Sequence, residues 1–140
     1  MADEQDSGYG RGKIGSEGEV EAPDLPYQPR DPESYRPAIG LIGCGGISEM
    51  HLRAYKNAGY EVAALCSRDR ARAEGRRDEF YPEADIYLDY RDLLARDDIE
   101  VVDITPHPEE RVPILEAAID AEKHILSQKP FVVDLDVDGV

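Results

Sequence analysis

A doubly wound, parallel α/β sheet is the fold class this 140-residue sequence predicts, and three observations predict it. From Pro37 onward, short apolar runs alternate with amphipathic segments, as βα units do when helices cover both faces of a sheet. The first apolar run climbs into a glycine cluster, Gly43-Cys44-Gly45-Gly46-Ile47-Ser48, and an amphipathic segment starts straight after it. A second apolar run lies about 20 residues further on, the spacing of a nucleotide-binding βαβ unit. Right-handed crossovers then give the strand order 3-2-1-4-5.

Taken in order, residues 1–36 hold glycine, proline and acidic side chains with few aliphatic ones, and no period appears. They are expected to form a disordered arm, with Tyr27, Tyr35 and the intervening prolines laying its last part on the domain surface. The domain itself is expected over residues 37–140. Residues 38–42 form the first strand and 46–58 the first helix, ended by Gly59. Residues 61–66 are a continuously apolar second strand, and 69–80 a charged, solvated helix. A short third strand over 85–87 leads to a short helix over 90–96, with Leu93 and Leu94 inward. A fourth strand over 100–104 precedes a helix over 108–121, with Val112, Leu115, Ala118 and Ile119 on one face. Residues 123–127 are the fifth strand.

The glycine cluster carries the chemistry. It fits G-x-G-x-x-G with serine in the last place, and each position has a physical reason. Gly43 takes the turn off the strand. Gly45 has no side chain to keep a pyrophosphate from the backbone. Ser48 lets the helix approach the sheet closely, and the helix N-terminus offers N–H groups and a positive dipole end to phosphates. A dinucleotide cofactor is therefore expected on Gly43, Cys44, Gly45, Gly46 and Ile47. The alternative is an ordinary glycine turn.

Composition bounds the partners. Sixteen Lys and Arg against thirty-one Asp and Glu give a net charge of −15, which argues against nucleic acid and anionic membranes. No apolar run approaches the ~20 residues that span a bilayer. The opening residues 1–6 are acidic and polar, unlike a secretory signal. Cys44 and Cys66 lack metal-ligand company and are expected as small buried thiols, so no metal is expected and a reducing, cytoplasmic compartment is.

Three strand ends mark the ligand edge. After the second strand, where an acidic residue commonly holds the ribose of NAD, the chain reads Ser67-Arg68, followed by Asp69. A hydroxyl beside a guanidinium suits the 2′-phosphate of NADP. Asp69 offers either a ribose contact or a helix cap, so both NADP and NAD stay open. Thr105-Pro106-His107-Pro108 follows the fourth strand on the same edge, and Lys129-Pro130 follows the fifth. Lys129 there suits hydrogen bonding to a hydroxyl, proton transfer, or simply a solvated surface.

The stretches IGLIGCGGISEMHL, YLDYRDLLARDDIEVVDI and TPHPEERVPILEAAIDAEKHILSQKP, in that order, resemble the N-terminal half of the Gfo/Idh/MocA oxidoreductases, named for glucose–fructose oxidoreductase and inositol dehydrogenase. The resemblance runs from about Ile39 to the C-terminus. It implies a Rossmann domain carrying NADP or NAD, and hydride transfer on a sugar- or polyol-like substrate. A second α/β domain would supply most of the substrate pocket and an Asp/His catalytic pair. It implies that Ser67 and Arg68 meet the adenosine ribose, that Thr105 and Pro106 line the nicotinamide side, and that Lys129 contacts the nicotinamide ribose and substrate as the catalytic candidate. His51 and His124 sit where the family also tends to carry histidine and are expected as packing and capping residues. Three departures stand out. Gln128 replaces the glutamate of the family's E-K-P, Arg111 stands where a histidine is frequent, and Glu122 replaces a glycine expected at positive φ. The chain is expected to be truncated, lacking the sixth strand and substrate domain, and to turn over nothing by itself. The competing readings are a non-catalytic nucleotide-binding module or gene remnant, and a methyltransferase; the Lys129-Pro130 ending argues against the last.

Overall fold

The computed structural model describes residues 23–26, 30 and 32–133. The chain divides into two compact units, Met1–Asp31 and Pro32–Val140, and the second holds every element below. Most of the expected arm, Tyr27 included, lies outside the described residues. Its described positions carry no helix or strand and are exposed. Near its end the Tyr35 hydroxyl donates to Glu100 Oε2 at 3.0 Å, and the Arg36 guanidinium lies 4.8 Å over the Tyr60 ring.

The elements are β1 (Ala38–Ile42), α1 (Ser48–Ala58), β2 (Val62–Cys66), α2 (Arg70–Phe80), β3 (Asp85–Tyr87), α3 (Tyr90–Leu94), β4 (Ile99–Ile104), α4 (Pro108–Asp120) and β5 (His124–Ser127). All neighbouring strands run parallel, in the order β3-β2-β1-β4-β5. This is the doubly wound order expected from the alternation of runs. Side chains on β1 alternate between the two faces. Ile39 and Leu41 join Leu52, Leu65 and Ala73 beneath α1 and α2. Ile42 joins Leu93, Val102, Ile104 and Leu115 beneath α3 and α4. Gly40 also faces that second layer: a Cβ there would lie 2.6 Å from Leu93 Cδ2, so the missing side chain lets α3 settle onto the strand.

The register fixes where ligands can meet the sheet. Tyr87, Cys66, Ile42, Ile104 and Ser127 stand in one row across the five strands. Parallel-ladder bonds continue one residue further: Ser67 N–H to the Tyr87 carbonyl, Gly43 to Cys66, Thr105 to Ile42 and Gln128 to Ile104. Residues far apart in sequence are thereby brought level on one carboxyl edge.

Two elements differ from the sequence reading. The buried face of α4 is Arg111, Ile114, Leu115 and Ala118, while Ile119 is 63% exposed. The helix is rotated because Arg111 turns inward onto backbone carbonyls. Lys123 is not in β5. Its ammonium reaches back to the carbonyls of Arg96 at 2.7 Å and Ile99 at 2.9 Å, joining the start of β5 to the turn before β4. Glu122 has φ 54, the left-handed conformation expected where glycine is usual.

Candidate functional site

The turn after β1 is built by glycine and threonine together. Gly43 has φ 101, and a Cβ on it would stand 2.7 Å from Thr105 Oγ1 and 2.9 Å from Pro106 Cδ. The Thr105 hydroxyl lies 2.7 Å from the Gly43 carbonyl and 3.2 Å from that of Ile42, so its one proton ties the turn to β4. Ser48, fully buried at the start of α1, donates to the Gly45 carbonyl at 2.6 Å. It secures the turn as well as allowing the close helix–sheet contact. Cβ atoms placed on Gly45 and Gly46 would meet nothing within 4 Å, so the backbone there faces open space. Helix α1 begins without a side-chain N-cap. Its first-turn N–H groups and positive dipole end lie beside that space. A pyrophosphate fits this cradle, and a side chain on Gly45 would take its room.

A cleft of about 1090 Å³ extends from the turn along the carboxyl edge. Gly43, Cys44, Gly45, Gly46 and Ile47 line it, as do Ser67 and Arg68 after β2, Thr105 and Pro106 after β4, and Lys129 after β5. On the β2 side, Ser67 Oγ accepts the Asp69 N–H at 3.2 Å. The Asp69 carboxylate caps α2 through the N–H groups of Ala71 and Arg72, at 3.0 and 3.3 Å. Asp69 thus fills one of the two roles expected of it, that of the helix cap. The exposed Arg68 guanidinium pairs with Glu110 of α4 at 2.6 Å.

On the other side, Arg111 is 3% exposed. Its Nε donates to the Pro106 carbonyl at 2.7 Å, and its Nη1 donates to the carbonyls of Gln128 and Pro130. Burial pushes the guanidinium below its ordinary value, with Glu109 opposing. The cation thus holds the β4 and β5 loops together through backbone oxygens. Lys129 is exposed, and its peptide bond to Pro130 is cis.

Behind the cleft, Asp103 is fully buried on β4. Its Oδ2 accepts from His51 Nδ1 at 2.6 Å and from the Tyr55 hydroxyl at 2.7 Å, and Oδ1 has no protein partner. Burial, then the charge of Asp103 and its hydrogen bond, hold the Tyr55 phenol well above its ordinary value. The other ring nitrogen of His51 meets the Gln128 side-chain amide at 2.8 Å. His51 is thus a bridging residue, whereas His124 is exposed. The sequence reading passed over Asp103, Tyr55 and Glu110. The one available signal was Asp103, an acid set between apolar residues of β4, which demands buried partners.

Both thiols are buried and unpaired. Burial pushes Cys44 up to about 11, against the pull of Arg76, and Cys66 up to about 12. Neither is a nucleophile at neutral pH. Among the described residues no group of His, Cys, Asp and Glu is placed to hold a metal ion, and no helix is long and apolar enough to cross a membrane.

Strand order reverses between β1 and β4, where doubly wound sheets take nucleotides, and the open glycine turn at that point makes this a dinucleotide-binding protein of the Rossmann class. Within that class the chain belongs to the Gfo/Idh/MocA family: the description "Oxidoreductase family, NAD-binding Rossmann fold" matches residues 38–137. It is 38% identical over 96 residues to inositol 2-dehydrogenase of Salmonella paratyphi B, covering 67% of this chain and 29% of the relative. It is similar in structure to the myo-inositol dehydrogenase of Lactobacillus casei solved with NAD(H) and myo-inositol. That likeness has TM-score 0.67 and 28% identity, over 70% of this chain and 30% of the other. A 3-ketoreductase variant of Actinomadura kijaniata, in complex with TDP-benzene and NADP, gives TM-score 0.65 at 28% identity, over 71% and 32%. The chain therefore spans about a third or less of the length of these relatives.

Proposed function

We propose that this chain is the nicotinamide-dinucleotide-binding part of an oxidoreductase acting on a sugar- or polyol-like substrate, and that by itself it binds cofactor without turnover. The observation that carries the reading is the open cradle over Gly45 and Gly46 at the start of α1, level with the ends of β2, β4 and β5. Gly43, Cys44, Gly45, Gly46 and Ile47 hold the pyrophosphate through backbone N–H groups. Ser67 and Arg68 meet the adenosine ribose, and the guanidinium fork of Arg68 favours a 2′-phosphate, hence NADP at least as well as NAD. Thr105 and Pro106 wall the nicotinamide side. When bound, the nicotinamide supplies the hydride acceptor or donor. Lys129 sits where its ammonium reaches a ribose or substrate hydroxyl and holds or passes its proton. The inositol-acting relatives support a polyol as the substrate class, and two unpaired buried thiols suit a cytoplasmic setting.

Hydride transfer needs the donor carbon and a base held against the ring, and loss of positioning alone costs several orders of magnitude. Among the described residues that line the cleft there is one lysine, Lys129. A second reading, a module that binds nucleotide and never serves catalysis, is favoured by the same observation. The test is a fluorescence titration with NADPH and NADH, followed by a panel of polyols and sugars with both oxidised cofactors. Binding without turnover is expected. Failure to bind either nucleotide would refute the cofactor reading, and turnover abolished by Lys129→Ala would refute the claim of inactivity.

A further inference from the structure

We infer that His51 is a positioning residue: fixed as the neutral Nδ1–H tautomer between Asp103 and Gln128, it holds the Gln128–Lys129 turn and thereby sets where the Lys129 ammonium stands over the cleft.

The tautomer follows from what each neighbour can do. Asp103 Oδ2, fully buried, only accepts, and His51 Nδ1 lies 2.6 Å from it. Nδ1 therefore carries a proton. The Gln128 amide has one end already assigned, because its Oε1 accepts the Lys129 backbone N–H at 3.1 Å. Its NH2 group is then the end 2.8 Å from His51 Nε2. An NH2 group only donates, so Nε2 must present a lone pair. An imidazolium would set N–H against N–H. Only the neutral ring satisfies both neighbours.

The hydrogen bonds consequently run one way. Lys129 N–H donates to Gln128, Gln128 donates to His51, and His51 donates to Asp103. The last acceptor is rigid. Asp103 stands in register between Leu41 of β1 and Leu126 of β5, and the Tyr55 hydroxyl one helical turn beyond His51 also donates to it at 2.7 Å. Arg111 grips the same turn from its carbonyl side, through Gln128 and Pro130. Between them, His51 controls the amide side and Arg111 the carbonyl side. Lys129 is exposed on a four-carbon stem, so the backbone is what decides its reach. A histidine that only joined α1 to β4 would need Asp103 and would have no use for Gln128.

The tautomer is independent of the function proposed above, whereas its consequence for Lys129 rests on that reading. The experiment uses the full chain labelled with 15N-histidine, and long-range 1H–15N correlation at neutral pH. His51 is expected to show a protonated Nδ1 and a lone-pair Nε2. In Gln128→Glu, whose side chain only accepts, Nε2 is expected to become protonated at the same pH. In Gln128→Leu, exchange of the Lys129 amide is expected to quicken on the order of tenfold, and NADPH affinity to fall about three- to tenfold, the effect of one hydrogen bond. Circular dichroism checks both folds, and the near-isosteric Gln128→Glu serves if the leucine variant does not fold. A protonated Nε2 in the unmodified chain overturns the tautomer. Unchanged Lys129 exchange and NADPH affinity in Gln128→Leu overturn the positioning role. If the unmodified chain binds no NADPH, the cofactor reading fails, and the tautomer and exchange results still decide the role of His51.

Discussion

Gly43 and Gly45 stand two residues apart and are glycine for different reasons. Gly43 combines φ 101 with two contacts a Cβ would violate. Gly43→Ala is expected to cost about 2–3 kcal/mol, the scale of a strained backbone position, read as a lower urea midpoint. Gly45 has no such strain and nothing near its missing Cβ. Gly45→Val should keep stability within about 0.5 kcal/mol and abolish NADPH binding in calorimetry. A folded Gly45→Val chain that still binds would move the phosphate cradle elsewhere. Arg68 gives a second contrast. Its partner Glu110 must release it before it can meet a 2′-phosphate. An exposed ion pair contributes at most about 1 kcal/mol, and a charged hydrogen bond to phosphate more. NADPH should therefore bind at least as tightly as NADH, Arg68→Ala should weaken NADPH roughly tenfold with little effect on NADH, and Glu110→Gln should tighten NADPH a few-fold. Tighter NADH binding, indifferent to Arg68→Ala, would defeat the preference.

Helix α4 shows what an element's sequence conveys and what it withholds. Periodicity counts Arg111 as polar and turns the helix so that Val112 and Ile119 face inward. The structure buries Arg111 instead, since three backbone carbonyls from two loops converge on its guanidinium. No local pattern discloses acceptors that are assembled by β4 and β5. For the same reason the His51–Asp103–Gln128 chain was invisible, joining α1, β4 and the turn after β5, although a buried acid in β4 was a clue. The strand order was legible, because apolar runs alternating with helices under a right-handed rule leave few arrangements. So was the glycine turn, whose geometry is set within six residues. The end of α4 was legible too. Glu122 takes φ 54 where glycine has no Cβ penalty. Glu122→Gly is expected to raise stability by about 0.5–1 kcal/mol, seen as a higher urea midpoint with unchanged slope. An unchanged or lower midpoint would show that the conformation carries no strain.

At the scale of the whole molecule, the two thiols make stability depend on alkaline pH, and so do the Tyr55 and Tyr81 phenols, both raised by burial. The ordinary value of the thiols is 9.0, and the fold raises Cys44 to about 11 and Cys66 to about 12. Below pH 9 both states keep the proton and stability is intact. Above it the unfolded chain ionises first and binds fewer protons, so stability falls as pH rises through 9 towards 11 and 12. The urea midpoint should decline across that window, and Cys44→Ala should flatten the first part of the decline. A flat profile in the unmodified chain would mean the thiols ionise freely when folded. Cys44 is 5% exposed, yet it belongs to the very turn that floors the cleft. A thiol in that place is a clock. Its reaction with a disulfide reagent is expected to be slow, because the thiol must first be uncovered, and the labelling rate should rise with the fraction of time that the turn is open. A dinucleotide lying across the turn is expected to slow the clock, and Cys66, the last residue of β2, to keep a time of its own.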